Sequence, residues 1–371
     1  MSHFCVFVLS ETKPDQAALH EIMLPYHEYE CTGYTEYLQD VDITDDLVVE
    51  FDRSCPVVVT ADGKVYSRYD NLFYKDRTFQ MPPDAHTAEM PADEARAIGI
   101  GYTDMANCAE EYFGDSCFED AGRWYRKTNK NKKWDFWQVG GRWTGMLMPT
   151  YEPEQDPRNK ETCSICNGTG QRNDQLGKEQ RLADPTYTCN GCKGTGIEVK
   201  WPTEWAKISG DQTMLKDVPF EALHTTAEQK AAKHYDQVHA VIAGRTWESW
   251  DAIRERAEQA KTTGEAWDAV RRSYWDQPAV KDLQQNEELR LWDGIDDFLW
   301  VTRDDYLRRA RDRIICPFAI VHNGQWHERG RVGWWACVSD EMPEGEWKAQ
   351  VSVLLDSLPP TTWLTVVDAH I

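Results

Sequence analysis

No apolar run in this chain approaches the ~18 residues that a membrane-spanning helix needs. Positive charge is scarce as well. Only 41 Lys and Arg stand against 63 Asp and Glu, a formal net charge of −22. A broad grip on a phosphate backbone rests on Lys and Arg displacing counterions, so an extended nucleic-acid face is disfavoured and only a small basic patch could serve. No basic stretch precedes the first apolar residues. Met1-Ser2-His3-Phe4-Cys5-Val6-Phe7-Val8-Leu9 therefore reads as a strand and not as a signal peptide. Several enzyme signatures are missing: the G-x-S-x-G elbow, the Walker A loop, the H-E-x-x-H helix and the EF-hand loop. His234 and His239 are spaced wrongly to share a helix face as i, i+4 zinc ligands.

What is present demands a folded core. Aromatic residues make up 12% of the 371 positions, including 17 Trp, which is too much apolar surface for a disordered acidic chain. The 11 Cys form an odd set without framework spacing, which points to reduced thiols in a cytoplasm and not to secreted disulfides. Seven of them (Cys5, Cys31, Cys55, Cys108, Cys117, Cys316, Cys337) are scattered and read mainly as small buried hydrophobes.

The periodicities divide the chain into four parts. Residues 1–150 read as an N-terminal α+β part: a central strand at 3–9, a helix from Pro14-Asp15 to Leu24 stopped by Pro25, β-rich stretches at 47–51 and 56–60, and a hairpin about Asp62-Gly63. A loop with a short helix is expected at 76–100 and helix over 103–127. Residues 151–200 are poor in large aliphatics and read as a metal-held insertion. Residues 201–315 are a helical segment, with a capping box at Thr226 and Gln229 and apolar faces at Trp250/Ile253/Ala257, Trp267/Val270/Tyr274 and Leu307/Ala310/Ile314. Residues 316–371 return to α+β: a type I′ hairpin at Asn323-Gly324, a strand from Val332 to Val338, a helix carrying Trp347, Val351, Leu354 and Leu358, and a last strand from Thr362 to Ile371. The pattern predicts an α+β fold with one mixed sheet built from both ends of the chain, ferredoxin-like or related, with the zinc module and the helices inserted.

Residues 163–170 and 189–196 repeat one frame, C-x-x-C-x-G-x-G, supplying Cys163, Cys166, Cys189 and Cys192. Two thiolates two residues apart reach one ion from a tight turn, and the glycines let the chain fold back with N–H groups toward sulfur. Two such turns make a tetrahedral four-thiolate site, which favours a single structural Zn²⁺ over hard cations, a redox dithiol or an iron–sulfur cluster. These repeats resemble the cysteine-rich motif of DnaJ-type co-chaperones, which carries four repeats and two zincs. The chain has two repeats, enough for one zinc, and it has no His-Pro-Asp tripeptide, so the resemblance implies metal binding and not a co-chaperone role.

The ends of the chain resemble an uncharacterised family of bacteriophages and their hosts. The resemblance rests on the M-S-H-F start, on Trp134 to Trp143 (W-D-x-x-Q-x-G-G-R-W, with one extra residue between Asp135 and Gln138), and on Thr365 to Ile371 (T-V-V-D-x-H-I). Leu24 to Gly33 and Trp326 to Gly330 with Gly333-Trp334-Trp335 share it. It implies a phage-type accessory protein of the bacterial cytoplasm and brings no activity. Read physically, His3, Asp368 and His370 would converge at one sheet edge if the first and last strands are neighbours, and Arg142 follows a flexible Gly140-Gly141. His27, Glu28 and Glu30 cluster after a helix stop and could supply acid, base or metal-ligand chemistry. The plain structural alternative is that these groups satisfy backbone, stack or turn the chain.

Three functions follow. The favoured one is a non-enzymatic accessory protein that binds a host protein. The second is a hydrolase or binder for a nucleotide-like molecule, with His3, Arg142, Asp368 and His370 as its working groups. The third is nucleic-acid binding through the zinc module, where Arg172, Lys178, Lys193 and Lys200 lie near the knuckles.

Overall fold

The computed structural model describes residues 3–75, 78–114, 116–260, 262, 265–286, 288–289, 291, 294–332 and 338–371. Met1, Ser2 and Gly333 to Cys337 lie outside the described residues, and the single strand expected from Val332 to Val338 is overturned at its ends, where Val332 pairs antiparallel with Val338. The chain forms two compact units, one of residues 1–22 with 136–371 and the other of residues 23–135.

The first unit is built on a six-stranded mixed sheet. Its strands are β1 (His3–Ser10), β2 (Phe136–Val139), β3 (Gln212–Met214), β4 (Ala319–His322), β5 (Gln325–Glu328) and β6 (Trp363–His370). The order is β2-β6-β1-β4-β5, with β3 also pairing β6. The first and last strands are neighbours along their whole length, antiparallel from His3 opposite His370 to Ser10 opposite Trp363. β1 runs parallel to β4, and β4 turns into β5 through Asn323 and Gly324, both at positive φ as a type I′ turn requires. Of ferredoxin-like or related, the β1–β4 parallel pair places the sheet in the second group, because the ferredoxin-like sheet pairs β1 with antiparallel neighbours only.

Both faces of β1 and β6 are buried, which explains their near-continuous apolar sequence. Cys5, Phe7 and Leu9 share one face with Leu364 and Val366 and pack with Trp347, Val351 and Leu355 of the helix Glu344–Ser357. The helical segment has a second core, in which Val238, Ile253, Val280, Leu283 and Phe298 meet Trp247 and Tyr274. Asp296 organises it. Its Oδ1 accepts from Trp247 Nε1 at 2.7 Å and from the Tyr274 hydroxyl at 2.8 Å, and its Oδ2 accepts from Trp250 N at 2.6 Å. Trp247 is a packing residue that also spends its indole N–H on a carboxylate.

The second unit holds two three-stranded sheets and short helices. Residues 39–42, 123–128 and 117–120 form one sheet, and 65–67, 55–59 and 86–90 the other. Here three expectations fail. Residues 76–100, expected as a loop with a short helix, also hold the strand His86–Met90. Residues 47–51 are the second half of a helix, Thr44–Phe51, not a strand. Asp45 and Asp46 suit its first turn, and Leu47 fills the core while Val48 and Val49 face solvent, a helical alternation that a short β-branched run disguises. Only 105–113 of the expected helix 103–127 is helical. The rest is a hairpin, 117–120 with 123–128, turned at Ala121 and Gly122 with positive φ at both. In the first unit, Thr226 lies inside the helix Phe220–Ile242 and caps nothing, because the helix starts right after Pro219.

The Asp296 arrangement yields a prediction. Asp296→Ala leaves two aromatic donors and one backbone N–H without their acceptor, and should lower unfolding free energy by about 3 kcal/mol in urea denaturation.

Candidate functional site

The four-cysteine segment is closed at its base by a short antiparallel pair, 160–162 with 197–199. Above it the two knuckles repeat each other with an offset of 26 residues. Cys163 N donates to Gly196 O at 3.0 Å, and Cys189 N donates to Gly170 O at 2.9 Å. The Thr169 hydroxyl donates to Cys166 O at 2.7 Å, and the Thr195 hydroxyl to Cys192 O at 2.8 Å. Gly170 and Gly196 sit at φ +70° and +76°, and a Cβ on either would run into the carbonyl of Gly194 or Gly168 in the opposite knuckle. The glycines of the frame are thus required both for backbone conformation and for the close approach of the two turns.

All four sulfurs are buried and lie within 4.8 Å of one another. Cys163 and Cys189 sulfurs are 3.8 Å apart and those of Cys166 and Cys192 are 3.6 Å apart. Four thiolates bound at ~2.3 Å around one tetrahedral ion would be ~3.8 Å apart, so the set fits a metal-binding site. Gly196 N donates to Cys192 Sγ at 3.2 Å. Burial raises the Cys192 thiol, but the Gly196 N–H, the Cys166 thiol and the Gly194 N–H outweigh it and pull Cys192 below the ordinary thiol value, while burial holds Cys163 above it. Of the basic residues nearby, Arg172 is taken up by Asp174 at 2.8 Å.

The second constellation converges as well. Asp368 is fully buried on β6, opposite Cys5 of β1. Its Oδ1 lies 2.8 Å from His3 Nδ1 and its Oδ2 accepts from the backbone N–H of Arg142 at 3.0 Å and from Gln138 Nε2 at 3.5 Å. A carboxylate only accepts, so the His3 Nδ1–H donates to Asp368 Oδ1. The His370 ring meets the His3 ring edge to face, with centroids 4.9 Å apart. Arg142 joins through its backbone, and its side chain is exposed. Gly141, at φ +54°, has no room for a Cβ, which would strike the Asp368 carboxylate. Three distant motifs thus meet on one carboxyl group.

Sequence reading missed the partner on the other side of this turn. Asp211, also fully buried, accepts from Gly145 N at 2.7 Å, and its Oδ2 and the Thr144 hydroxyl fill the space where a Gly140 side chain would stand. Burial pushes Asp211 up to about 6, with the Gly145 N–H and the Thr144 hydroxyl pulling in the opposite direction. Nothing in the local sequence around Asp211 marks it. Gln138 was visible inside its motif but carried no assigned role. In the other unit, His27 is fully buried, while Glu28 and Glu30 are ion-paired to Lys132 and Arg126. Among the described residues, no helix is long and apolar enough to cross a membrane.

Two predictions follow from the clasped turn. Gly141→Ala should cost about 2 kcal/mol or more and lower the melting temperature, since both φ and space oppose a methyl group. Asp211 has a folded-state value above its unfolded one of 3.8, so its contribution to stability is full below about pH 4 and is lost as pH rises through 6. Asp211→Asn should therefore remove part of the stability loss between pH 4 and 7, gaining on the order of 2–3 kcal/mol over the parent at pH 7 relative to pH 4 in denaturation series.

The chain matches no protein-family model, no curated protein and no solved structure.

Proposed function

We propose that this is a phage-type accessory protein of the bacterial cytoplasm that acts by binding a host protein, with one structural zinc ion pinning its recognition module. The observation that carries this reading is the combination of a closed metal site and an apolar exterior on the same segment. Four protein thiolates leave no coordination position for a substrate, so the ion serves as a staple and not as a reaction centre. The segment it staples keeps Ile165, Leu176, Leu182, Ile197, Val199 and Trp201 exposed, with Leu182 at 87% and Trp201 at 71%. Six exposed apolar side chains on so polar a segment are not spent on its own fold and offer surface for a protein partner. Zinc is the ion that suits a buried all-sulfur tetrahedron, and the DnaJ-type frame points the same way.

Protein purified without added metal should contain one zinc per chain by elemental analysis, and Cys163→Ser should abolish it; a content near zero removes the staple. In affinity capture from host lysate, the full chain should retain one partner in stoichiometric amount, and Leu182→Ser with Trp201→Ser should lose it while keeping its zinc. Recovery of chaperones alone, or a partner indifferent to both changes, contradicts the reading.

One observation favours a second reading, a nucleotide-binding hydrolase. The hydrogen bond of Nδ1 to Asp368 would leave Nε2 of a neutral His3 to act as a base, with the His370 ring beside it and Arg142 joined to Asp368 through its backbone N–H. A thermal-shift response to nucleotides that disappears in His3→Gln would shift weight to it.

A further inference from the structure

Two stretches a hundred residues apart in sequence are sewn together within the unit of residues 23–135. Glu28 N donates to Trp134 O at 2.6 Å, and His27 and Trp134 form a parallel bridge. Buried polar side chains hold the seam. His27 has Nδ1 2.6 Å from Leu24 O and Nε2 2.9 Å from Tyr34 O. Asn129, equally buried, donates through Nδ2 to Pro25 O at 2.9 Å and to His27 O at 3.1 Å. Trp134 Nε1 donates to Met23 O at 3.0 Å. So much buried hydrogen bonding spent on backbone carbonyls fixes the positions of the residues between them.

On this seam Glu28, Cys31 and Asp135 bring one ligand atom each within 4.8 Å of one another. Cys31 Sγ is 3.9 Å from Glu28 Oε2, while Glu28 Oε1 is held by Lys132 Nζ at 2.6 Å. Glu30 is answered separately by Arg126 at 2.6 Å. Three roles for Cys31 can be compared. It is in no disulfide. It is a poor nucleophile, since carboxylates beside a thiol oppose the thiolate that would react. As a metal ligand it gains from the same neighbours, because they are ligands too and a dication cancels the field of all three.

We propose that Glu28, Cys31 and Asp135 form a second metal site that takes one thiophilic divalent transition ion, such as zinc, through one sulfur and two carboxylate oxygens. The sulfur ligand selects against magnesium and calcium. Three protein ligands leave a coordination position for water or substrate, unlike the four-thiolate centre, with which this site shares no residue. Lys132 orients Glu28 as an outer partner.

The test is a Co²⁺ titration of the full-length, zinc-loaded chain, with zinc release followed by a chromogenic chelator. One further equivalent of cobalt should bind without releasing zinc and should show sulfur-to-cobalt charge-transfer absorption. Cys31→Ser should remove that absorption and weaken the extra equivalent at least tenfold. Asp135→Asn should weaken it by about tenfold or more. Cys31 is exposed and serine nearly isosteric, so that variant should keep the parent melting temperature without cobalt. Whatever ion fills the four-thiolate centre, parent and Cys31→Ser should differ by one equivalent. Cobalt uptake matched by zinc release, no uptake at all, or an extra equivalent that survives Cys31→Ser overturns the proposal.

Discussion

A carboxyl group shut away from water has to be met by donors, and in this protein that requirement ties the chain together. Asp368 lies inside the central sheet, and what meets it comes from the first residues of β1, from the end of β2 and from the turn that follows. The turn passes close enough only because Gly141 has no side chain. Asp211 grips the far end of the same turn. Two buried acids therefore fix one six-residue loop from both sides, and through it the opening and closing strands of the sheet are locked in register with a segment over a hundred residues from either end.

The four-cysteine segment solves a different problem by different means. It has almost no apolar interior of its own beyond the four sulfurs. Its order comes from two copies of a short turn whose glycines interlock across the pseudo-twofold, so that each knuckle supplies the carbonyl that holds the other. A metal ion bound there would make binding and folding one event.

Much of this could be read from the amino acids alone, and the reasons are local. The knuckles are legible because ligand type and spacing are rigidly dictated by the ion. The first and last strands of the chain are legible because both faces are buried, and the Asn323-Gly324 hairpin because such residues readily accept its dihedral angles. The misreadings are local as well. Leu47 to Phe51 has strand-like side chains, yet the acidic first turn and the single buried face decide for helix. The hairpin turn at Ala121-Gly122 lacks the Asn or Asp that usually announces it, so the preceding helix seemed to run on. At the candidate sites, His3, Asp368 and His370 were legible once the end strands were taken as neighbours. Asp211 was not, because its meaning lies wholly in what the fold brings to it.

The helix Gln175–Ala183 between the knuckles contributes one buried residue, Gly177, which tucks under Arg172 O. Arg181 is half-buried and donates to Arg172 O at 2.6 Å, while its other residues face outward. Its outward sequence is therefore free to drift under selection while the scaffold stays fixed. Under the proposed reading, a lineage could change what this face binds by rewriting a few solvent-facing codons, without re-evolving the body that presents them.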